Sequence, residues 1–107
     1  MNKLSKFEEL ALADKDVKFG FDNYDVLKQI GSLVREMRVS SGFSQTALQE
    51  MSGITQADIS RVESGTMERG PSLLTLVRLA HAAGKRLVIG IEDDEGEDKK
   101  TTRVLAL

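Results

Sequence analysis

Side chains suited to reading DNA bases are concentrated between residues 55 and 61 of this 107-residue chain. In a helix, the apolar Ile59 and Val62 would share one side, and small or hydrogen-bonding side chains would occupy the other. That second side consists of Thr55, Gln56, Ala57, Ser60 and Arg61. A glutamine amide can donate to and accept from an adenine edge, and an arginine can reach guanine or a phosphate. The pattern predicts a face that reads base edges in the major groove, with Gln56 as its best single reader.

Two short helices joined at Gly53 would hold this face in position. Ser44 and Thr55 are predicted to be the N-caps of these helices, because their hydroxyls can accept from the free N–H groups of a first turn. Gly53 tolerates the positive φ that a tight joint requires. The side chains predicted to bury the two helices are Leu48, Met51, Ile54, Ile59 and Val62. The segment SQTALQEMSGITQADISRVESG, residues 44–65, therefore predicts a helix-turn-helix.

Contacts to the DNA backbone are expected from both sides of this motif. Gln45 would open the first short helix, where a backbone N–H and a side-chain amide can both meet a phosphate. Arg69 lies in the segment TMERGP that follows the second helix, and we expect it to contact the backbone together with Thr55.

Catalytic and metal-binding chemistry is not indicated by the composition. The chain has no cysteine, so thiol nucleophiles and cysteine metal sites are excluded. It has a single histidine, His81, so a histidine-rich metal site is disfavoured. Ser40, Ser41 and Ser44 have no evident base partner and are interpreted as turn and cap residues. We therefore predict no enzyme activity, no cofactor and no metal site.

The remaining chain is predicted to form further helices and a short β-element. Apolar spacing predicts helices over residues 2–13, 25–40 and 72–83, and residues 14–24 are interpreted as an irregular connector. The helix at 25–40 would bury Leu27, Ile30, Val34 and Met37, with Asp25 as N-cap and Gly31 weakening it. The helix at 72–83, capped by Ser72, would bury Leu73, Leu76, Val77, Ala80 and Ala83. Residues 86–91, RLVIGI, predict a strand that must pair either with its copy in a second subunit or with the final TTRVLAL segment.

Charge is unevenly distributed along the chain. Residues 1–26 carry four basic and six acidic side chains, residues 27–85 seven and five, and residues 86–107 four and six. A mildly basic centre between acidic ends is compatible with a small DNA-binding core, although the excess is small. No apolar run is long enough for a membrane span and no signal peptide is evident, so a cytoplasmic location with no membrane contact is expected.

Several motifs resemble the Cro/phage-repressor type of helix-turn-helix, the XRE family, over about residues 28–84. They are SQ at the start of the first short helix, GITQ at the turn, ISRVESG at the end of the second, and PSLLTL at the start of the next helix. The resemblance implies a mainly α fold, a five-helix bundle, here with an N-terminal helical extension and a C-terminal β-strand. It also implies an ion pair between Arg38 and Glu63. Gln49 departs from the family, which usually has alanine there, and its long side chain is predicted to swing outward.

Within this family, the chain most resembles a HigA-type antitoxin, because it has an N-terminal extension and a β-prone segment after AAGKR. This resemblance implies a sequence-specific repressor that binds a palindromic operator as a homodimer, autoregulates its operon and neutralises a RelE/HigB-like toxin. The resemblance divides the chain into three segments. Residues 1–26 would be a toxin-contacting extension and residues 27–84 the DNA-binding domain. Residues 85–107 would form a strand and an acidic tail for dimerisation or partner contact. The alternatives are a stand-alone XRE-family regulator without a toxin, and a protein-interaction module without a DNA role.

Overall fold

Four helices and one two-stranded sheet make up the described part of the fold. The computed structural model describes residues 15–94, 96, 100, 101 and 103–107, and side chains from residue 23 onward. In chain order the elements are α1 (Lys15–Ser40), α2 (Gln45–Ser52), α3 (Gln56–Ser64), α4 (Leu73–Ala82), β1 (Val88–Ile89) and β2 (Leu105–Ala106). The mainly α architecture agrees with the prediction, but the five-helix count is wrong for the described residues. The helix predicted at 2–13 lies outside them.

The first helix is longer than the sequence pattern predicted. It begins at Lys15 and runs through the segment interpreted as a connector, so Asp25 lies inside the helix and is not its N-cap. The segment contains a glycine but no proline, and one glycine costs a helix only about 1 kcal/mol. The boundary predicted between residues 26 and 27 therefore falls within a continuous helix.

The other three helices begin at hydroxyl caps. The Ser44, Thr55 and Ser72 side chains accept from the backbone N–H groups of Ala47, Asp58 and Thr75. Each cap satisfies one of the donors that a first turn leaves without an intrahelical partner.

One hydrophobic core lies where the four helices meet. It consists of Val34, Leu48, Ile59, Val62 and Leu79, with Met37, Ile54 and Leu76 packed against it. Two of the predicted core positions are wrong: Met51 is 54% exposed and Leu73 is 48% exposed. In their place Ser52 and Leu79 are buried, while the predicted positions Leu48, Ala80 and Ala83 are buried as expected.

Gly31 allows α1 and α3 to approach closely. A Cβ built at this position would lie 2.5 Å from the carbonyl oxygen of Val62 and 2.6 Å from that of Glu63. The residue that was predicted to weaken α1 is thus the point where α1 meets the backbone of α3.

The predicted strand pairs within its own chain. Val88 and Ile89 lie opposite Ala106 and Leu105 in an antiparallel ladder, and the Leu107 N–H donates to the Leu87 carbonyl oxygen at 2.7 Å. Of the two pairings left open by the sequence, the structure has the one with the final segment.

None of the helices in the described part combines the length and apolar character needed to cross a bilayer.

Candidate nucleic-acid interface

The turn between α2 and α3 is held by bonds from three directions. Gly53 has a φ of 75°, and its N–H donates to the Gln49 carbonyl oxygen at 2.8 Å. The Ile54 N–H donates to Ser52 Oγ at 3.1 Å, and Arg78 Nη2, from α4, donates to the Ser52 carbonyl oxygen at 2.8 Å. The angle at which α3 leaves the turn is therefore set by hydrogen bonds as well as by apolar packing.

Two protein oxygens close the first turn of α3. Thr55 Oγ1 accepts from the Asp58 N–H at 3.1 Å, and Gln49 Oε1 accepts from the Gln56 N–H at 2.6 Å. The second bond crosses from α2 and was missed by sequence reasoning, which placed the Gln49 side chain outward. Helical periodicity carries no signal for it, because the bond depends on the crossing angle of two helices and joins residues seven apart in sequence.

The face predicted to read bases is on the surface. Thr55, Gln56, Ala57 and Arg61 are exposed, and Ser60 is half-buried. Arg61 Nη2 is hydrogen-bonded to Asp58 Oδ1 within the same helix, and both side chains are well exposed. A solvent-exposed ion pair contributes only about 0–1 kcal/mol, so the guanidinium can leave Asp58 for a stronger acceptor at low cost.

A chain of hydrogen bonds connects Gln56 to the body of the protein. Gln56 Nε2 donates to Gln45 Oε1 at 2.7 Å, and Gln45 Nε2 donates to Glu63 Oε1 at 3.4 Å. Because a carboxylate oxygen can only accept, Glu63 requires Gln45 to turn its Nε2 inward and its Oε1 toward Gln56. The orientation of the Gln56 amide is thus determined from the interior outward.

That chain ends at an ion pair between α1 and α3. Arg38 Nε and Nη2 donate to the two carboxylate oxygens of Glu63 at 2.7 and 2.9 Å, and Arg38 Nη1 donates to the Phe43 carbonyl oxygen at 2.9 Å. The side chains are 13% and 6% exposed. The hydrogen bond to Glu63 raises the pKa of the Arg38 guanidinium, against burial, which lowers it.

The predicted site residues fall into two groups along α3. Gln45, Thr55 and Gln56 gather at its N-terminal end, and Ala57, Ser60 and Arg61 continue along the exposed side. Arg69 is exposed in the loop that follows the other end of this helix, whose nine residues span roughly 13 Å. At that end, Lys28 Nζ donates to the Ser64 carbonyl oxygen at 2.7 Å, which joins α3 to α1.

In the part of the chain that the structure describes, no group of three or more histidine, cysteine, aspartate or glutamate side chains could hold a metal ion. His81 is exposed, and its Nε2 lies 2.7 Å from the Leu107 carbonyl oxygen. This contact places the histidine at the junction between α4 and the last residue of the chain.

Comparisons with known proteins agree with this geometry. A family model described as helix-turn-helix matches residues 34–89. Among solved structures, the chain is similar to the restriction-modification controller protein C.AhdI from Aeromonas hydrophila. The identity is 34%, the alignment covers 60% of this chain and 90% of that one, and the TM-score is 0.55. A comparison with curated proteins found no match.

Proposed function

The chain belongs to the XRE-type helix-turn-helix family and is a DNA-binding transcriptional regulator, not an enzyme; from this premise we propose that it represses transcription by binding a palindromic operator as a homodimer. The observation that carries the proposal is the exposed side of α3, whose Gln56 is held by Gln45 and Gln49 while its remaining amide groups stay accessible. A side chain fixed before binding loses less conformational entropy when it meets a base.

The proposed roles follow position along the interface. Side chains on the exposed side of α3 read base edges: Gln56, Ala57, Ser60 and Arg61. The backbone contacts that set the register come from Gln45, Thr55 and Arg69. Gln56 can offer Oε1 and one Nε2 hydrogen to adenine while its other Nε2 hydrogen stays on Gln45.

Selection from a random duplex library with the full chain tests this function. We expect a palindromic consensus, and an affinity for it that falls linearly with salt on logarithmic axes. Arg61→Ala should weaken operator binding by about 1–3 kcal/mol per half-site and leave the melting temperature unchanged. Failure to enrich any sequence would refute operator reading. An unchanged affinity of Arg61→Ala would remove Arg61 from the readers.

Dimerisation is proposed to use a groove between α1, α4 and β1. Its floor includes Val34, Met37 and Leu76, and its rim includes Leu33 and Val88. Leu33 is 57% exposed and Val88 is 59% exposed, so two large apolar side chains that line the same groove are open to solvent. A second copy is the occupant that the two-fold symmetry of a palindrome requires.

A charge placed on the rim tests the dimer. Leu33→Glu should halve the mass measured by analytical ultracentrifugation, because a carboxylate would be desolvated at the interface. Leu74→Glu is the matched control, since Leu74 is 73% exposed and does not line the groove. A Leu33→Glu protein that remains dimeric would move the interface elsewhere.

An antitoxin role is the second candidate, and one feature favours it. Helix α1 begins at Lys15, although the family match begins only at residue 34, so a long helical segment precedes the shared domain. Tyr24 and Val26 on this segment are exposed. Co-expression with the neighbouring reading frame, followed by pull-down, tests the role. Capture of a RelE/HigB-like toxin that fails to bind after deletion of residues 1–26 would support it. If the protein encoded by the neighbouring reading frame does not bind, the stand-alone regulator would be favoured instead.

A further inference from the structure

We propose that Gln49 is a positioning residue for base reading: its side chain fixes the backbone of Gln56 and thereby the preference for the base pair that Gln56 contacts. The inference rests on the proposed function, because it concerns how the same face reads DNA. Gln49 itself is half-buried on α2 and is not among the residues expected to touch DNA.

The position of Gln49 lets one residue hold both sides of the turn. Its backbone carbonyl oxygen accepts from the Gly53 N–H at 2.8 Å, at the end of α2. Its side-chain Oε1 accepts from the Gln56 N–H at 2.6 Å, at the start of α3. Opening of the angle between the helices would lengthen the side-chain bond to Gln56, so Gln49 resists opening of the turn.

Two glutamines of α2 therefore hold Gln56 at different atoms. Gln49 holds the backbone nitrogen, and Gln45 holds the side-chain Nε2 at 2.7 Å. A bidentate contact to adenine needs both amide atoms in place at once, whereas a phosphate contact tolerates more displacement. Loss of the Gln49 bond should therefore reduce base preference more than backbone affinity.

Substitution of Gln49 by alanine isolates this effect. Alanine is a better helix former than glutamine, so α2 is expected to persist. In Gln49→Ala, loss of this hydrogen bond should reduce the preference for the base pair that Gln56 contacts, relative to the other base pairs at that position, by about twofold to tenfold. The salt dependence should be unchanged because no phosphate contact is removed.

Substitution of Gln49 by glutamate provides a test of rescue. In Gln49→Glu a carboxylate oxygen can still accept from the Gln56 N–H, so the base preference should return toward the wild-type value. The added negative charge should lower affinity for all duplexes alike. Met51→Ala is the control on the same helix, since Met51 is 54% exposed and outside the core, and it should change neither quantity.

The experiment uses the full chain and the consensus from random duplex selection. Gln56→Ala first identifies the base pair that Gln56 reads, as the position where preference is lost. Affinities of the wild type and the Gln49 variants are then measured for the consensus and for duplexes changed at that base pair. Amide hydrogen exchange at Gln56 in the free proteins reports the backbone bond without DNA.

The outcomes separate the two proposals. Faster exchange at Gln56 and a reduced base preference in Gln49→Ala, restored in Gln49→Glu, would support the positioning role. A wild-type base preference in Gln49→Ala would overturn it while operator reading stands. A wild-type protein that enriches no sequence would refute operator reading, and the exchange rate of Gln56 would then still decide whether the Gln49 bond exists.

Discussion

Replacement of Gly31 by alanine tests whether close approach of α1 and α3 determines the fold. In most helix interiors this change is stabilising, because glycine costs about 1 kcal/mol relative to alanine. Gly31 is buried, and its Cβ would meet the backbone carbonyl oxygens of Val62 and Glu63 at 2.5 and 2.6 Å. Both oxygens belong to α3, so the helix that carries the proposed reading face would have to move.

The size of the effect follows from this overlap. Ordinary van der Waals contact begins near 3.4 Å, so the Cβ would overlap the Val62 oxygen by about 0.9 Å. Overpacking costs about 1–3 kcal/mol, and backbone atoms that cannot rotate away favour the upper end. Subtracting the gain in helix propensity of about 1 kcal/mol leaves a net destabilisation of about 2 kcal/mol. For a domain of this size, that lowers the melting temperature by roughly 10 °C.

Urea unfolding followed by circular dichroism measures the difference. Ser32→Ala is the matched control, because Ser32 is the exposed next residue of the same helix. The control should gain a few tenths of a kcal/mol from helix propensity alone. A Gly31→Ala protein as stable as the wild type would show that α1 and α3 can separate without penalty, and the packing argument would then be wrong.

Two further substitutions test the supports of α3. Glu63→Leu leaves the Arg38 guanidinium without its partner and should cost about 3 kcal/mol in urea unfolding, whereas the Arg38→Met, Glu63→Leu double variant should recover most of it. A double variant as unstable as the single one would argue against the ion pair as the cause. Thr55→Ala removes the N-cap and should cost about 1 kcal/mol, and Thr55→Ser should retain the wild-type stability. Equal melting temperatures for these two variants would contradict capping by Thr55.

The local rules of helix termination predicted much of the fold. Ser44, Thr55 and Ser72 cap helices, and Gly53 ends α2 with a φ of 75°. These features depend on a few neighbouring residues, so the sequence contains the information needed to predict them. The buried positions Leu48 in α2 and Ile59 and Val62 in α3 were also predicted, because apolar residues at helical spacing are visible within each short segment.

Two features that depend on two elements together were not predicted, although the resemblance did imply the ion pair of Arg38 and Glu63 between α1 and α3. Gly31 looks like a defect in α1 until α3 is placed against it, and Gln49 looks like an outward side chain until the crossing angle is known. Met51 and Leu73 were assigned to the core because each lies three residues from another apolar side chain, Leu48 or Leu76, in a helix of only eight or ten residues. Which stripe is buried depends on the neighbouring helices, and composition does not specify them.

The proposed reading face is therefore connected to the core by polar as well as apolar contacts. Apolar packing of Ile59 and Val62 fixes where α3 lies, but a helix can still rotate about its axis by a small angle within such packing. The ion pair of Glu63 with Arg38 in its last turn, and the bond of Gln56 to Gln49 in its first, act at opposite ends of the nine-residue helix. Two directional bonds at the two ends oppose that rotation. Because a base contact depends on the direction of a side chain, we expect these bonds to contribute to specificity as well as to stability.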